Sequence, residues 1–364
     1  MKKLALSGTA KEIGYEHGSK GKKEVIHSLE TYEKLFHGYK QIDWQQAREY
    51  ALEHVDSIEK YDYDLVEEMQ GVAEGAGVDF EDILALNARS EIALAGYKGS
   101  SFSDGCTAMA LYPPIHRDTI IAQNWDWKGR QTDSLLALSI QQQNKPDIQM
   151  ITEGGMIGKI GWNSSGVGVC FNALLTDKKS NEVPIHLGLR GVLDSYSLTE
   201  AISKIKAGQM ASAASFLIGA DEGEPDKGMA VNFEVSPFGI YEVGTQMGRL
   251  VHSNHLLSNE LKKHLKDMNE FRFDDSMIRK KRAEQLIDLS LQSGEDITED
   301  TFKTWLSDTF NKPNSINHYK NELAPEHRQM ETVFSIIMNL SKKNMYVCVG
   351  KPAEGTFEKI TFES

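Results

Sequence analysis

The chain has 364 residues, of which 40% are hydrophobic and 26% charged, and a formal net charge of −13. This length and balance suit a soluble globular protein with a sizeable buried core. The acidity argues against a nucleic-acid partner: phosphate binding needs clustered Lys and Arg, and only short groups such as Lys262-Lys263 and Arg279-Lys280-Lys281-Arg282 occur.

Along the chain, the first ten residues carry two lysines and only a short apolar run, too little for a signal-peptide core. No stretch approaches the roughly 18 apolar residues of a membrane span. The three cysteines, Cys106, Cys170 and Cys348, lack C-x-x-C spacing and are too few for a disulfide framework. The expectation is a cytoplasmic protein with no membrane contact.

Val25, Leu29, Tyr32, Phe36 and Tyr39 repeat at helical spacing and predict a helix. Leu65, Met69, Val72 and Ala76 predict another, with Gly75 and Gly77 marking its end. A third is expected from about 80 to 94, and together these segments predict a helical layer. The pattern then changes. "CTAMALY", "TIIAQNW", "LLALSI" and "IQMIT" are short apolar runs divided by turn-formers, and they predict strands. Further strands are expected at 157–162 and 167–172, with "NSSG" as the turn between them. Helices at about 185–194 and 198–207 lead to strands at "SFLIGA", "MAVNFEV" and "GIYEV", the first two joined by a hairpin over 219–228. Helices at about 276–293 and 299–308 precede the last strands, "VFSIIMN" and "NMYVCVG". Short connections between strands predict antiparallel sheets, with helices outside two stacked sheets.

Cys106 heads one of these strands. By itself, a cysteine there reads as a small buried hydrophobe. Its neighbours support a second reading. Gly105 tolerates a strained peptide and the close approach of a nucleophile. Thr107 sets a hydroxyl beside the sulfur, and "DG" favours a turn ahead of the strand. Were the chain cut before Cys106, the new α-amine would share a residue with the thiol and could accept its proton, so no histidine would be needed.

"DGCTA" (104–108), "LNARSEI" (86–92), "QNWDW" (123–127), "GKIGWNSSGVGVCFNAL" (158–174), "QMASAASFLIG" (209–219) and "LVHSNH" (250–255) occur in this order. Together they resemble the acyl-coenzyme A:6-aminopenicillanic acid acyltransferase (isopenicillin N acyltransferase) family of cysteine N-terminal-nucleophile hydrolases. The resemblance implies an α+β, four-layer αββα sandwich of two antiparallel sheets between helical layers. It implies self-cleavage at Gly105–Cys106. A helical fragment 1–105 and a fragment 106–364 would then remain associated in one structural domain. It further implies that Cys106 is the nucleophile and its freed amine the base, that Asp126 orients that amine, and that Asn254 aims its side-chain amide at the oxyanion. Asn172 would add its backbone N–H to the oxyanion hole. No cofactor is implied, although a coenzyme A thioester fits as acyl donor. The expected partner is a small-molecule amide or acyl thioester, and the reaction is hydrolysis of a linear amide or acyl transfer through a Cys106 thioester.

One departure stands out. Relatives carry an arginine after a Ser-Ile-Cys segment, and "PNSINHYK" (313–320) places His318 there. His318 is therefore a candidate substrate-binding residue, able to replace that charge in part below about pH 6.5; Arg328 is a candidate from another register. Two other readings stay open: an uncleaved, catalytically silent binding protein on the same fold, and a papain-like hydrolase pairing Cys106 with His252 or His255. The H-x-x-H formed by those histidines lacks an acidic or cysteine partner nearby, so no metal is expected. Loops near 91–103 and 127–134 are expected to line the pocket.

Overall fold

Each apolar run between turn-formers becomes a strand in the computed structural model, which describes residues 1–94, 105–208, 210–244, 246–326 and 329–360. The chain opens with strand β1 (Lys2–Gly8). Helices α1 (Ala10–Lys20), α2 (Lys22–Lys40), α3 (Trp44–Leu52), α4 (Val55–Tyr61), α5 (Tyr63–Ala76), α6 (Phe80–Asn87) and α7 (Arg89–Leu94) follow. Next come β2 (Gly105–Leu111), β3 (Ile120–Trp127), β4 (Leu135–Gln142), β5 (Ile148–Glu153), β6 (Ile160–Asn163) and β7 (Val167–Ala173). Helices α8 (Ile185–Leu193) and α9 (Leu198–Gly208) lead to β8 (Ala214–Asp221), β9 (Gly228–Ser236), β10 (Gly239–Glu242) and β11 (Arg249–His252). The chain closes with α10 (Met277–Ser293), α11 (Glu299–Leu306), β12 (Glu331–Asn339), β13 (Asn344–Val349) and β14 (Glu358–Ile360).

Among the described residues the strands form two sheets, β1-β4-β5-β6-β7-β8-β9-β10 and β11-β2-β3-β12-β13-β14. Their inner faces meet where β2 and β3 lie against β7 and β8. Helices α1, α2 and α8 cover the outer face of the first sheet, and α10 and α11 that of the second. This is the expected α+β, four-layer αββα sandwich. Because β2 and β3 are covered on both faces, every residue in them is buried, and their sequences do not alternate polar with apolar. Ala108, Trp125 and Trp127 belong to the main core, while Met109, Leu111, Ile120 and Ala122 pack beneath α10 and α11.

Two expectations need correction. The segment ahead of Cys106 is not purely helical: β1 pairs parallel with β4, from Lys2↔Leu136 to Gly8↔Gln142, an exception to the antiparallel pattern. Its alternation is only seven residues long and gives a weak signal. The helix 65–76 ends at Gly77, as expected, but Gly75 lies inside it and does not mark its end. Its cap is Gly77, in the left-handed conformation, with its N–H on Ala73 O. Gly75 instead lies in a seam between α1 and α5. A Cβ on Gly14 would sit 2.0 Å from Glu68 O, and one on Gly71 would sit 2.2 Å from Lys11 O. Gly18 and Gly75 repeat this contact one turn along, against Val72 O and Tyr15 O. Four glycines thus let two helix backbones touch.

Candidate active site

The antiparallel β2–β3 ladder fixes the site. Gly105 lies opposite Asp126 and Cys106 opposite Trp125. A Cβ on Gly105 would stand 3.0 Å from Asp126 Cβ and 3.2 Å from its Oδ2, so glycine lets the carboxylate approach the Gly105–Cys106 peptide. Asp126 is fully buried, and its Oδ1 accepts from Thr332 Oγ1 at 2.7 Å. Thr332 Oγ1 in turn accepts the His318 main-chain N–H at 2.8 Å.

The other side of Cys106 is held from β11 and α10. Its main-chain N–H donates to Asn254 Oδ1 at 2.7 Å. The Asn254 Nδ2 donates to Ala173 O at 3.1 Å, which ties the carboxamide to the end of β7. That nitrogen carries a second hydrogen for another acceptor. Asn172, one residue earlier, pairs with Ser215 across the β7–β8 ladder. Its carboxamide is buried, with neither polar atom partnered among the described residues.

Arg279 completes this arrangement. It is 1% exposed, and its Nε donates to Asp275 Oδ1 at 2.6 Å. Its Nη1 donates to Cys106 O at 2.6 Å and Thr107 Oγ1 at 2.9 Å, and its Nη2 to Asn254 Oδ1 at 3.0 Å. Burial disfavours the guanidinium charge, but Asp275, together with Asp126 and Cys106, outweighs this and raises its pKa. Sequence reasoning noted Arg279 only as one of a short basic group. The available signal was its position four and eight residues before Ala283 and Ile287, the other buried residues of α10.

The structure changes the reading of His318. It is buried, and its main chain joins the site through Thr332, but burial lowers the pKa of its imidazole; Arg279 lowers it further while Asp275 opposes. The guanidinium that meets Cys106 among the described residues is that of Arg279. Arg328 and residues 95–103 of the expected pocket lining lie outside the described residues.

The papain-like pairing finds no support. Cys106 lies in a strand, and both ring nitrogens of His252 are engaged, Nε2 with Glu234 Oε1 at 3.0 Å and Nδ1 with Ser253 O at 2.7 Å. His255 Nδ1 lies 2.8 Å from Ser276 Oγ. Cys170 and Cys348 are buried, and burial raises both thiol pKa values, that of Cys348 to about 11. Among the described residues no group of three or more His, Cys, Asp or Glu is placed to hold a metal ion. No described helix is long and apolar enough to cross a membrane.

Behind Trp125 lies a buried ionic cluster that sequence reasoning missed. Glu153 accepts from Lys159 and, at 2.6 Å, from Tyr32 OH, while Arg89 Nε lies 3.8 Å from Glu153 Oε2. Lys159 Nζ sits 3.3 Å from the Trp125 ring centroid, and the Arg89 guanidinium 5.0 Å from that of Trp127. Burial raises the Glu153 pKa, but Lys159 and Arg89 outweigh it and bring it down to about 2.

Residues 116–354 match the model of the family described as Acyl-coenzyme A:6-aminopenicillanic acid acyl-transferase. The 40 kDa form of acyl-coenzyme A:6-aminopenicillanic-acid-acyltransferase from Emericella nidulans is 34% identical over 359 residues, covering 97% of this chain and 93% of that protein. The chain belongs to this acyltransferase family. It is thereby an enzyme of the acyltransferase class. Similar solved structures include a variant of conjugated bile acid hydrolase from Clostridium perfringens, at 11% identity and a TM-score of 0.44, covering 71% of this chain and 97% of that one. Penicillin V acylase from Agrobacterium tumefaciens is also similar, at 11% identity and a TM-score of 0.41, covering 71% and 86%.

Proposed function

We propose that this member of the acyltransferase family processes itself at Gly105–Cys106 and then hydrolyses linear amides or transfers acyl groups through a thioester on Cys106. The observation that carries the proposal is the hydrogen bond from the Cys106 main-chain N–H to Asn254 Oδ1, opposite the Gly105–Asp126 pair. It places the nitrogen that cleavage would free between a carboxylate and a carboxamide.

In self-processing, Cys106 Sγ adds to the Gly105 carbonyl carbon. The C–N bond breaks as the nitrogen takes up the proton released by the thiol. Water then hydrolyses the thioester and leaves a Gly105 carboxylate, a free Cys106 amine and a restored thiol. In turnover the amine accepts the thiol proton while the sulfur adds to the substrate carbonyl. The second Asn254 Nδ2 hydrogen and the Asn172 backbone N–H stabilise the oxyanion. The ammonium then protonates the leaving amine, and water or an acceptor amine takes the acyl group. Asp126, held by Thr332, orients the amine.

On this reading the enzyme needs no cofactor and acts in the cytoplasm on a small-molecule amide or acyl thioester; a coenzyme A thioester would serve as donor. Both pieces contribute to the main core, which includes residues from α1 to β14, so they stay together as one domain after cleavage. Denaturing intact-mass spectrometry of the purified protein, beside Cys106→Ala, tests the proposal. Fragments of 105 and 259 residues from the wild type alone are expected. One uncleaved chain in both samples would overturn it and favour the silent binding protein.

A further inference from the structure

The guanidinium of Arg279 meets the Cys106 main chain and the Asn254 carboxamide at once. Asn254 Oδ1 accepts from both Cys106 N–H and Arg279 Nη2, at 2.7 and 3.0 Å, and Arg279 Nη1 holds Cys106 O and Thr107 Oγ1. Relying on the self-processing function above, we propose that Arg279 is a positioning residue of the mature enzyme: it keeps Asn254 in the orientation that serves the oxyanion and holds the freed Cys106 amine in its proton-accepting form.

The first part follows from counting donors and acceptors. In the uncleaved chain the Cys106 peptide nitrogen only donates, so it alone favours Oδ1 on its side of Asn254. After cleavage the neutral amine can accept as well as donate, and a flipped carboxamide would satisfy it equally. A guanidinium only donates. Arg279, which only donates, and Ala173 O, which only accepts, therefore both still require this orientation once the peptide N–H is gone, and Nδ2 stays on the side of Ala173 O and the oxyanion. The demands on Arg279 rise on maturation.

The second part follows from charge. Arg279 carries a permanent cation, buried and poorly screened. A cation beside an amine disfavours the ammonium form. The groups facing the amine from the surrounding elements can be named. Asp126 on β3 favours the ammonium. Asp275, ahead of α10, is paired with Arg279. His318, ahead of β12, and His255, after β11, are held toward neutrality chiefly by burial, with the His255 pKa lowered to about 3. Glu153, Lys159 and Arg89 lie beyond Trp125. The amine thus lies between Asp126, which pulls its basicity up, and the Arg279–Asp275 pair, whose nearer member to Cys106 is the cation.

The test uses iodoacetamide on the mature protein, with alkylation of Cys106 followed by mass spectrometry from pH 5 to 10. Arg279→Gln removes the cation and leaves Asp275 unpaired, so the rise of the alkylation rate moves to higher pH by about one unit or more. Arg279→Lys keeps the charge and holds the midpoint near that of the wild type. Asp275→Asn leaves the cation uncompensated and moves the midpoint down. Arg279→Gln also loses more in alkylation at pH 7 than in its rate of self-cleavage, a split that a purely structural defect does not produce. Should Arg279→Gln fail to fold, the opposite shift in Asp275→Asn and the unmoved midpoint in Arg279→Lys decide the matter. Coincident profiles for the wild type and the charge-changing variants that mature overturn the inference and leave self-processing intact. A wild type that never cleaves overturns both.

Discussion

Asn254 Oδ1 lies 2.7 Å from the Cys106 main-chain nitrogen, and its Nδ2 lies 3.1 Å from Ala173 O, so one carboxamide joins the strand of Cys106 to the end of β7. Replacing it with alanine removes the acceptor of the Cys106 N–H and, in the proposed mechanism, the oxyanion donor with it. Asn254→Ala is expected to slow acyl transfer by on the order of 10²-fold or more, as for other lost oxyanion donors. Self-cleavage should slow as well, since the scissile nitrogen loses its anchor. A time course of intact mass checks the second effect, and turnover of a chromogenic anilide the first. Wild-type rates in this variant would remove Asn254 from the mechanism.

Asp126 is set by Thr332. The Thr332 hydroxyl donates to Asp126 Oδ1 and accepts the His318 N–H, so losing it frees two buried groups. Thr332→Val is expected to cost about tenfold in turnover, while Thr332→Ser, which keeps the hydroxyl, stays close to the wild type. Turnover by the two variants at one pH makes the comparison. Equal losses in both would point to packing at the β3–β12 bulge instead of the hydrogen bond.

Much of this site was legible in the sequence. "DGCTA", "NWD" and "HSNH" marked Cys106, Asp126 and Asn254, and the structure gathers all three on adjoining elements. Each motif pairs a polar residue with strand or turn chemistry, and that pairing survives in one dimension. Arg279, Thr332 and Glu153 were not found, for a physical reason. Each contacts a residue distant in the sequence, Cys106 for Arg279, Asp126 for Thr332 and Arg89 for Glu153, and nothing nearby in the sequence distinguishes a buried Arg–Asp pair from an exposed one. The strands were found from their apolar runs, whereas β1 was missed because its partner β4 begins only at Leu135. For His318 the motif gave a position and a partial charge at low pH, but not the burial that lowers its pKa.

The α1–α5 seam yields a stability prediction independent of catalysis. Gly14→Ala puts a methyl 2.0 Å from Glu68 O and Gly71→Ala puts one 2.2 Å from Lys11 O, both against backbone that cannot rotate aside. Alanine gains up to about 1 kcal/mol in helix propensity, but separating two packed helices costs about 1–3 kcal/mol. Each variant is therefore expected to melt a few degrees lower. The double variant should lose less than the sum, because both methyls press on the same seam. Thermal unfolding followed by circular dichroism measures all three, and strict additivity would argue against a shared contact.

The Glu153 cluster governs acid stability. Burial alone would raise this carboxyl's pKa; Lys159 and Arg89 lower it from its ordinary 4.5 to about 2. A depressed folded-state pKa contributes stability that is complete above the unfolded value and lost as pH falls through the folded one. The contribution from Glu153 is thus present at neutral pH and fades between about pH 4.5 and 2. Glu153→Gln removes the carboxylate that contacts both Lys159 and Arg89, and the two buried cations lose that shared countercharge. A loss of about 3–5 kcal/mol is expected at pH 7. Because glutamine does not titrate, the variant should lose less additional stability than the wild type between pH 4.5 and 2. Urea titrations at pH 7, 4.5 and 3 measure both quantities. Parallel losses in the two proteins would show that acid unfolding is set elsewhere, and an unchanged midpoint at pH 7 would show that Lys159 and Arg89 find other countercharges.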